Sequence, residues 1–218
     1  MQFIPQILFI IAAVAGIGLF AKRLLEIRKN ILLGKDADYS DRSPERWKNL
    51  LLLAFGQKKM FRNPLVAVLH FFVYAGFIII NIEVLEIILD GVLGTHRLFA
   101  PVLGNIYTAL IDAFEILAVL VIFACAVFLI RRNILKLRRF ISHDLDGWPR
   151  GDANYILITE IVLMCLFLTM NTSDLVLQSR GYGHYAAHST GQFVISGLLT
   201  PIFSGFSDGA LVAIERTC

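Results

Sequence analysis

The chain has 218 residues, 57% of them apolar and 17% charged, where ordinary soluble domains run at about 45–50% and about 25%. That balance excludes a water-solvated globule and points to helices solvated by lipid. The net charge of +3 is no nucleic-acid signature, because nearly all Lys and Arg lie in loops that meet lipid headgroups. Cys125, Cys165 and Cys218 form neither C-x-x-C nor C-x-x-C-H, so this stretch alone offers no ligand set for an iron–sulfur cluster or a covalent haem.

Four stretches reach the roughly 20 apolar residues that cross a bilayer: 2–21, 64–90, 106–130 and 154–178. The first carries an Ala13-Val14-Ala15 triplet like a cleavage site. Its leading MQFIPQ has no positive charge, however, and KRLLEIRKN follows the apolar run, so a retained anchor with its N-terminus outside is expected. In the next loop Ser43 reads as an N-cap and Pro44 as the first helical residue. They open a helix over 43–62 with Trp47, Leu50, Leu51, Ala54 and Phe55 apolar and Lys48, Lys58 and Lys59 polar, which is expected to lie on the inner leaflet. Trp148 and Tyr155 flank the entry to the fourth span as interfacial aromatics. Residues 192–206 are apolar but short and contain Gly197, Pro201 and Gly205, which suits an interfacial or re-entrant segment. The run GALVAIERTC after Asp208 reads as the start of a fifth helix that stops at Cys218, so the chain is expected to be truncated there. The fold class is therefore an all-α integral membrane bundle with four transmembrane helices and an incomplete fifth.

Lys and Arg number 11 in residues 22–63 and 6 in residues 131–153, against one each in 91–105 and 179–207. The positive-inside rule puts the two rich loops in the cytoplasm and makes this a multi-pass protein of the cytoplasmic (inner) membrane.

Ionisable and polar side chains inside spans are costly enough to be read as functional candidates. His70 stands among apolar residues in VAVLHFFVYAGF. It suits either a haem iron ligand or a histidine packed against a neighbouring helix. Asn81 lies about three turns further on nearly the same helical face, as a cofactor contact or an interhelical bond. Glu83 and Glu86 form an i, i+3 pair in the second span, and Asp112 and Glu115 another in the third. Four carboxyls at similar depth suit a quinol site or a proton path, or bonds to helix backbones and the interface. Glu160 in the fourth span can face the basic loop before it. His184 and His188 have i, i+4 metal-ligand spacing, but the surrounding glycines favour a solvated outer loop. His96 and His143 sit in loops and carry no assigned role.

The string FGQKKMFRNPLVAVLHFFVYAGF resembles the membrane domain of iron–sulfur oxidoreductases related to heterodisulfide reductase, a domain similar to the gamma subunit of respiratory nitrate reductase. Gly56, Gln57, Lys58, Lys59, Pro64, His70, Tyr74, Gly76 and Phe77 carry that pattern, and RRNILKLRRF leading to GDANYILITEIVL resembles the same family's third and fourth spans. The resemblance implies one transmembrane haem-binding domain over 1–218, with the helix at 43–62 inside it. It implies b-type haem held by His70, with a second ligand on the fifth helix beyond Cys218. Electrons would pass between quinone and an iron–sulfur or flavoprotein partner in the cytoplasm, and iron–sulfur clusters would lie only in a missing C-terminal part or in that partner. Two-haem relatives carry another histidine where this chain has Ile80 and Asn81, so one haem is expected. The competing readings are a proton or solute transporter that uses the outer carboxyls, and a cofactor-free membrane anchor.

Overall fold

A computed structural model describes residues 3–35, 41–137, 147–183, 185 and 193–218, and among them every regular element is helical. The elements are α1 (Phe3–Ile31), α2 (Ser43–Asn49), α3 (Pro64–Leu93), α4 (Ala100–Leu103), α5 (Asn105–Leu129), α6 (Trp148–Ser179), α7 (Ser196–Phe203) and α8 (Asp208–Thr217). Four helical stretches are long and apolar enough to cross a membrane: Ile4–Ile31, Pro64–Leu93, Asn105–Ile134 and Gly151–Ser179. These are the four spans read from the sequence, each longer than its apolar run. α1 continues to Ile31 because KRLLEIRKN is built from strong helix formers, and an Arg23–Glu26 ion pair at 2.8 Å ties adjacent turns.

The chain divides into two compact units. The first comprises residues 1–64 and 85–98. Within it Gly91 admits the ring of Phe9, since a Cβ there would lie 2.5 Å from a ring carbon. The Gln6 amide donates to the Val92 carbonyl at 2.5 Å. Gly94, at φ 72°, closes α3 in the left-handed conformation that glycine adopts without a Cβ penalty. Its N–H returns to the Asp90 carbonyl at 2.7 Å. The Asp90 carboxylate then takes the Thr95 hydroxyl at 2.5 Å and the Arg97 N–H at 2.8 Å. Residues 43–62 are helical in three pieces: α2, a wider π turn over Leu50–Phe55, and a 3₁₀ turn over Lys58–Arg62. Ser43 is the first helical residue rather than the cap; Arg42 precedes it at φ 48° and no side chain caps the helix. Pro44 still falls in the first turn, where its missing N–H removes no helical bond.

The second unit comprises residues 65–84 and 99–218. Its apolar core joins Ile80 of α3, Ile111, Phe114, Ala118, Val121 and Cys125 of α5, and Met164, Phe167 and Leu168 of α6. The α5 residues recur every three or four positions, so one stripe of that helix is buried. Gly76 brings α3 against α5: a Cβ there would sit 2.6 Å from Val121 Cγ2. At one end of α6 the amides of Asn133 and Asn154 bond each other both ways, at 2.8 and 3.3 Å. At the other end α7 and α8 pack back against it.

A candidate functional site among α5, α6 and α7

At 1.5 Å per residue α7 is roughly 12 Å long, far short of a ~30 Å hydrocarbon core. A helix that ends inside apolar surroundings leaves its first N–H and last C=O groups without partners. Here charged side chains of the neighbouring helices meet both ends. Glu115 of α5 is fully buried, and its Oε2 accepts the backbone N–H of Ile195 at 2.9 Å and of Ser196 at 3.2 Å. Its Oε1 accepts the Asn171 amide at 3.3 Å and the Ser196 hydroxyl in a short contact. At the other end Arg180 donates to the carbonyls of Ser204 at 2.6 Å and Phe206 at 3.0 Å, and pairs with Asp208 at 2.5 Å as α8 begins. An acid at the N-terminus and a base at the C-terminus also match the sign of the helix dipole.

The polar surroundings of Glu115 run on along α6. Asn171, Thr172, Ser173 and Asp174 are consecutive and almost wholly buried. The two hydroxyls bond back to the carbonyls of Leu168 and Thr169, and Asp174 takes the Gln178 amide at 3.1 Å. Beyond the span the buried Tyr185 donates its hydroxyl to Glu215 of α8 at 2.9 Å. Burial first, and then the Glu215 carboxylate, push the Tyr185 phenol above its ordinary value of 10, so it stays a donor.

The residues nominated from sequence fall in different surroundings. His70 is half-buried on α3, and among the described residues neither ring nitrogen makes a hydrogen bond. Asn81 is exposed, and its amide donates to the Phe77 carbonyl of its own helix. Glu83, in the second unit, and Glu86, in the first, are 1% and 2% exposed, and both are engaged in polar interactions. Asp112 is half-buried one turn before Glu115, and its enclosed Oδ1 has no donor among the described residues. Glu160 is half-buried in α6, and His96 lies in the turn after α3. His143, His184 and His188 lie outside the described residues. Among the described residues no group of three His, Cys, Asp or Glu side chains gathers as a metal site.

Sequence reasoning missed Ser196, Arg180 and the run Asn171 to Asp174. The signal for the last was present, because four polar residues in a row inside an apolar span call for partners. Ser196 and Arg180 gain their roles only through contacts distant in sequence.

No family model and no solved structure matches the chain. It is similar to a probable iron–sulfur-binding oxidoreductase, FadF, of Bacillus subtilis (strain 168), at 27% identity over 194 residues. The match covers 88% of this chain but 26% of that protein, so the chain spans about a quarter of the relative's length.

Proposed function

We propose that this chain is the membrane electron-transfer domain of an iron–sulfur oxidoreductase. The observation that carries the reading is the similarity to the Bacillus subtilis protein across 88% of the chain. Four helices long enough to cross a bilayer fit a domain that meets a lipid-soluble redox carrier in the membrane.

The group the reading calls for is b-type haem, and His70 fits one half of its ligand set. It is half-buried, and among the described residues neither ring nitrogen has a hydrogen-bond partner. A bound haem would supply one-electron relay between a two-electron quinol and one-electron clusters. The chain's own contribution would be a ligand nitrogen at His70, set in the apolar run VAVLHFFVYAGF. The second ligand and the clusters belong to further sequence or to a partner. The domain sits in the cytoplasmic membrane with residues 22–63 inside, where an iron–sulfur or flavoprotein partner docks, and 179–207 outside.

The test is a reduced-minus-oxidised spectrum of the protein purified from its native membrane. A b-type haem signal that His70→Ala removes is expected; a native protein without haem, or haem that survives the substitution, overturns the assignment of His70.

A further inference from the structure

Between α1 and α3 the chain presents an apolar surface that its own helices leave open. From Ser43 to Gly56 every residue is exposed, although the run Leu50–Phe55 is wholly apolar. Trp47, Leu51 and Phe55 are 62%, 56% and 60% exposed, and Phe61 follows at 63%. So many large apolar side chains gathered on one short segment mark a surface that something else covers.

Helical geometry sorts these side chains. Around α2, with Trp47 as reference, Arg46 and Lys48 stand about 100° to either side, and Glu45 and Asn49 about 160° away on the opposite face. Leu51 follows Trp47 by slightly more than one α-turn, which carries it about 40° past. From Leu50 to Phe55 the turn widens, and the Gly56 N–H reaches back five residues to the Leu51 carbonyl at 2.7 Å. In the wider turn the step from Leu51 to Phe55 falls short of a full circle, so Phe55 swings back toward Trp47. Trp47, Leu51 and Phe55 therefore form one row with a cation on each flank and the acid behind.

Charge and tethering identify what covers the row. Arg42, Arg46, Lys48 and Lys58 are exposed here against Asp41 and Glu45, which favours a negatively charged partner. The segment also runs directly into a span, since its last turn ends at Arg62 and α3 begins at Pro64. Its own chain thus holds it at a bilayer surface. We propose that residues 43–61 are a docking surface for acidic phospholipid. The Trp47, Leu51 and Phe55 row enters the acyl boundary while Arg46 and Lys48 hold lipid phosphates, so the segment inserts where the leaflet is anionic. Selection by lipid charge goes beyond the interfacial position read from the sequence, and it involves no cofactor.

Trp148→Phe leaves Trp47 as the sole tryptophan of the chain. The full chain is reconstituted in liposomes of phosphatidylcholine, alone or with about 30% phosphatidylglycerol to supply the negative surface. Trp47 is then quenched from within by brominated acyl chains, or from water by acrylamide. Phosphatidylglycerol should raise the bromine quenching about twofold and lower the acrylamide quenching by a similar factor. Salt at about 1 M should abolish the difference, because it screens charge beyond about 3 Å. Arg46→Gln combined with Lys48→Gln should bring Trp47 to the level seen in phosphatidylcholine alone, and Arg46→Lys combined with Lys48→Arg should keep it inserted. Both side chains are exposed, so these variants leave the packed helices intact. Insertion that is equal in the two lipids, or insensitive to salt or to the glutamine variant, overturns selection by charge. A Trp47 open to acrylamide in both lipids overturns lipid docking altogether and leaves the row to a protein partner.

Discussion

Replacing Glu115 by alanine removes the acceptor shared by four donors, and its effect can be worked from the contacts. The Ser196 hydroxyl has an alternative in the Leu168 carbonyl, already 3.4 Å away. The N–H groups of Ile195 and Ser196 bond no other acceptor among the described residues. A buried donor stranded in this way costs about 1–3 kcal/mol. With two backbone donors stranded and α7 partly relaxing, the total comes to about 2–5 kcal/mol. Against a typical total stability of about 5–15 kcal/mol, that is enough to release α7 without unfolding the spans. Two assays read it: denaturant unfolding in mixed micelles, and maleimide labelling of Leu199→Cys in a background without the exposed Cys165 and Cys218. Leu199 packs against the core, so labelling should be slow in the parent and faster by tenfold or more in Glu115→Ala. Glu115→Gln, which keeps one acceptor oxygen, should fall between. A stability loss under about 1 kcal/mol with unchanged labelling would show that α7 is held by apolar packing and that the carboxylate is incidental.

Gly76→Ala should destabilise by about 1–3 kcal/mol despite alanine's better helix propensity, because the new methyl overlaps Val121. Val121→Ala in the same chain should recover most of that loss in a thermal scan, and no recovery would locate the clash elsewhere. The raised Tyr185 phenol makes an alkaline prediction: the fold keeps the proton that the unfolded chain releases above pH 10, so this contribution is intact below 10 and declines as pH rises further. Tyr185→Phe should remove that slope, read as unfolding midpoint against pH, and an unchanged slope would assign it to another group. For topology, a cysteine at Ser40 should be silent and one at Tyr182 reactive toward an impermeant maleimide on intact cells; the reverse pattern would invert the protein.

The spans were legible because a run of about 20 apolar residues has few other uses in a chain of this composition. Their ends were not, since helix formers such as Lys22, Arg23 and Glu26 extend a helix past the apolar stretch that marks it. The short helix at Ser196 was foreshadowed by Gly197 and Pro201, which forbid a long one. Its anchoring was not foreshadowed, because Glu115 and Ile195 are 80 residues apart and nothing local to either names the other. His70 shows the complementary limit. Its residue type and its place within an apolar run could be read from the string around it, but nothing local to it names what it meets.

Apolar and polar terms divide the work of placing helices in the second unit. α3, α5 and α6 meet through interdigitated Ile80, Val121, Phe167 and their neighbours and through the close approach at Gly76, contacts that are numerous and individually weak. Lipid tails compete with such packing almost on equal terms, so close approach and interhelical hydrogen bonds must carry specificity. For the roughly 12 Å of α7 the apolar contribution is small and the unpaired backbone ends are the larger quantity. A carboxylate and a guanidinium therefore decide its position, and only one register satisfies Glu115 at Ser196 and Arg180 at Ser204 together. Because Arg180 also holds Asp208, the same contacts fix where α8 starts as it packs back along α6. A change at Glu115 should thus be felt at α8 through α7, whereas a core truncation on the far side of α5 should not.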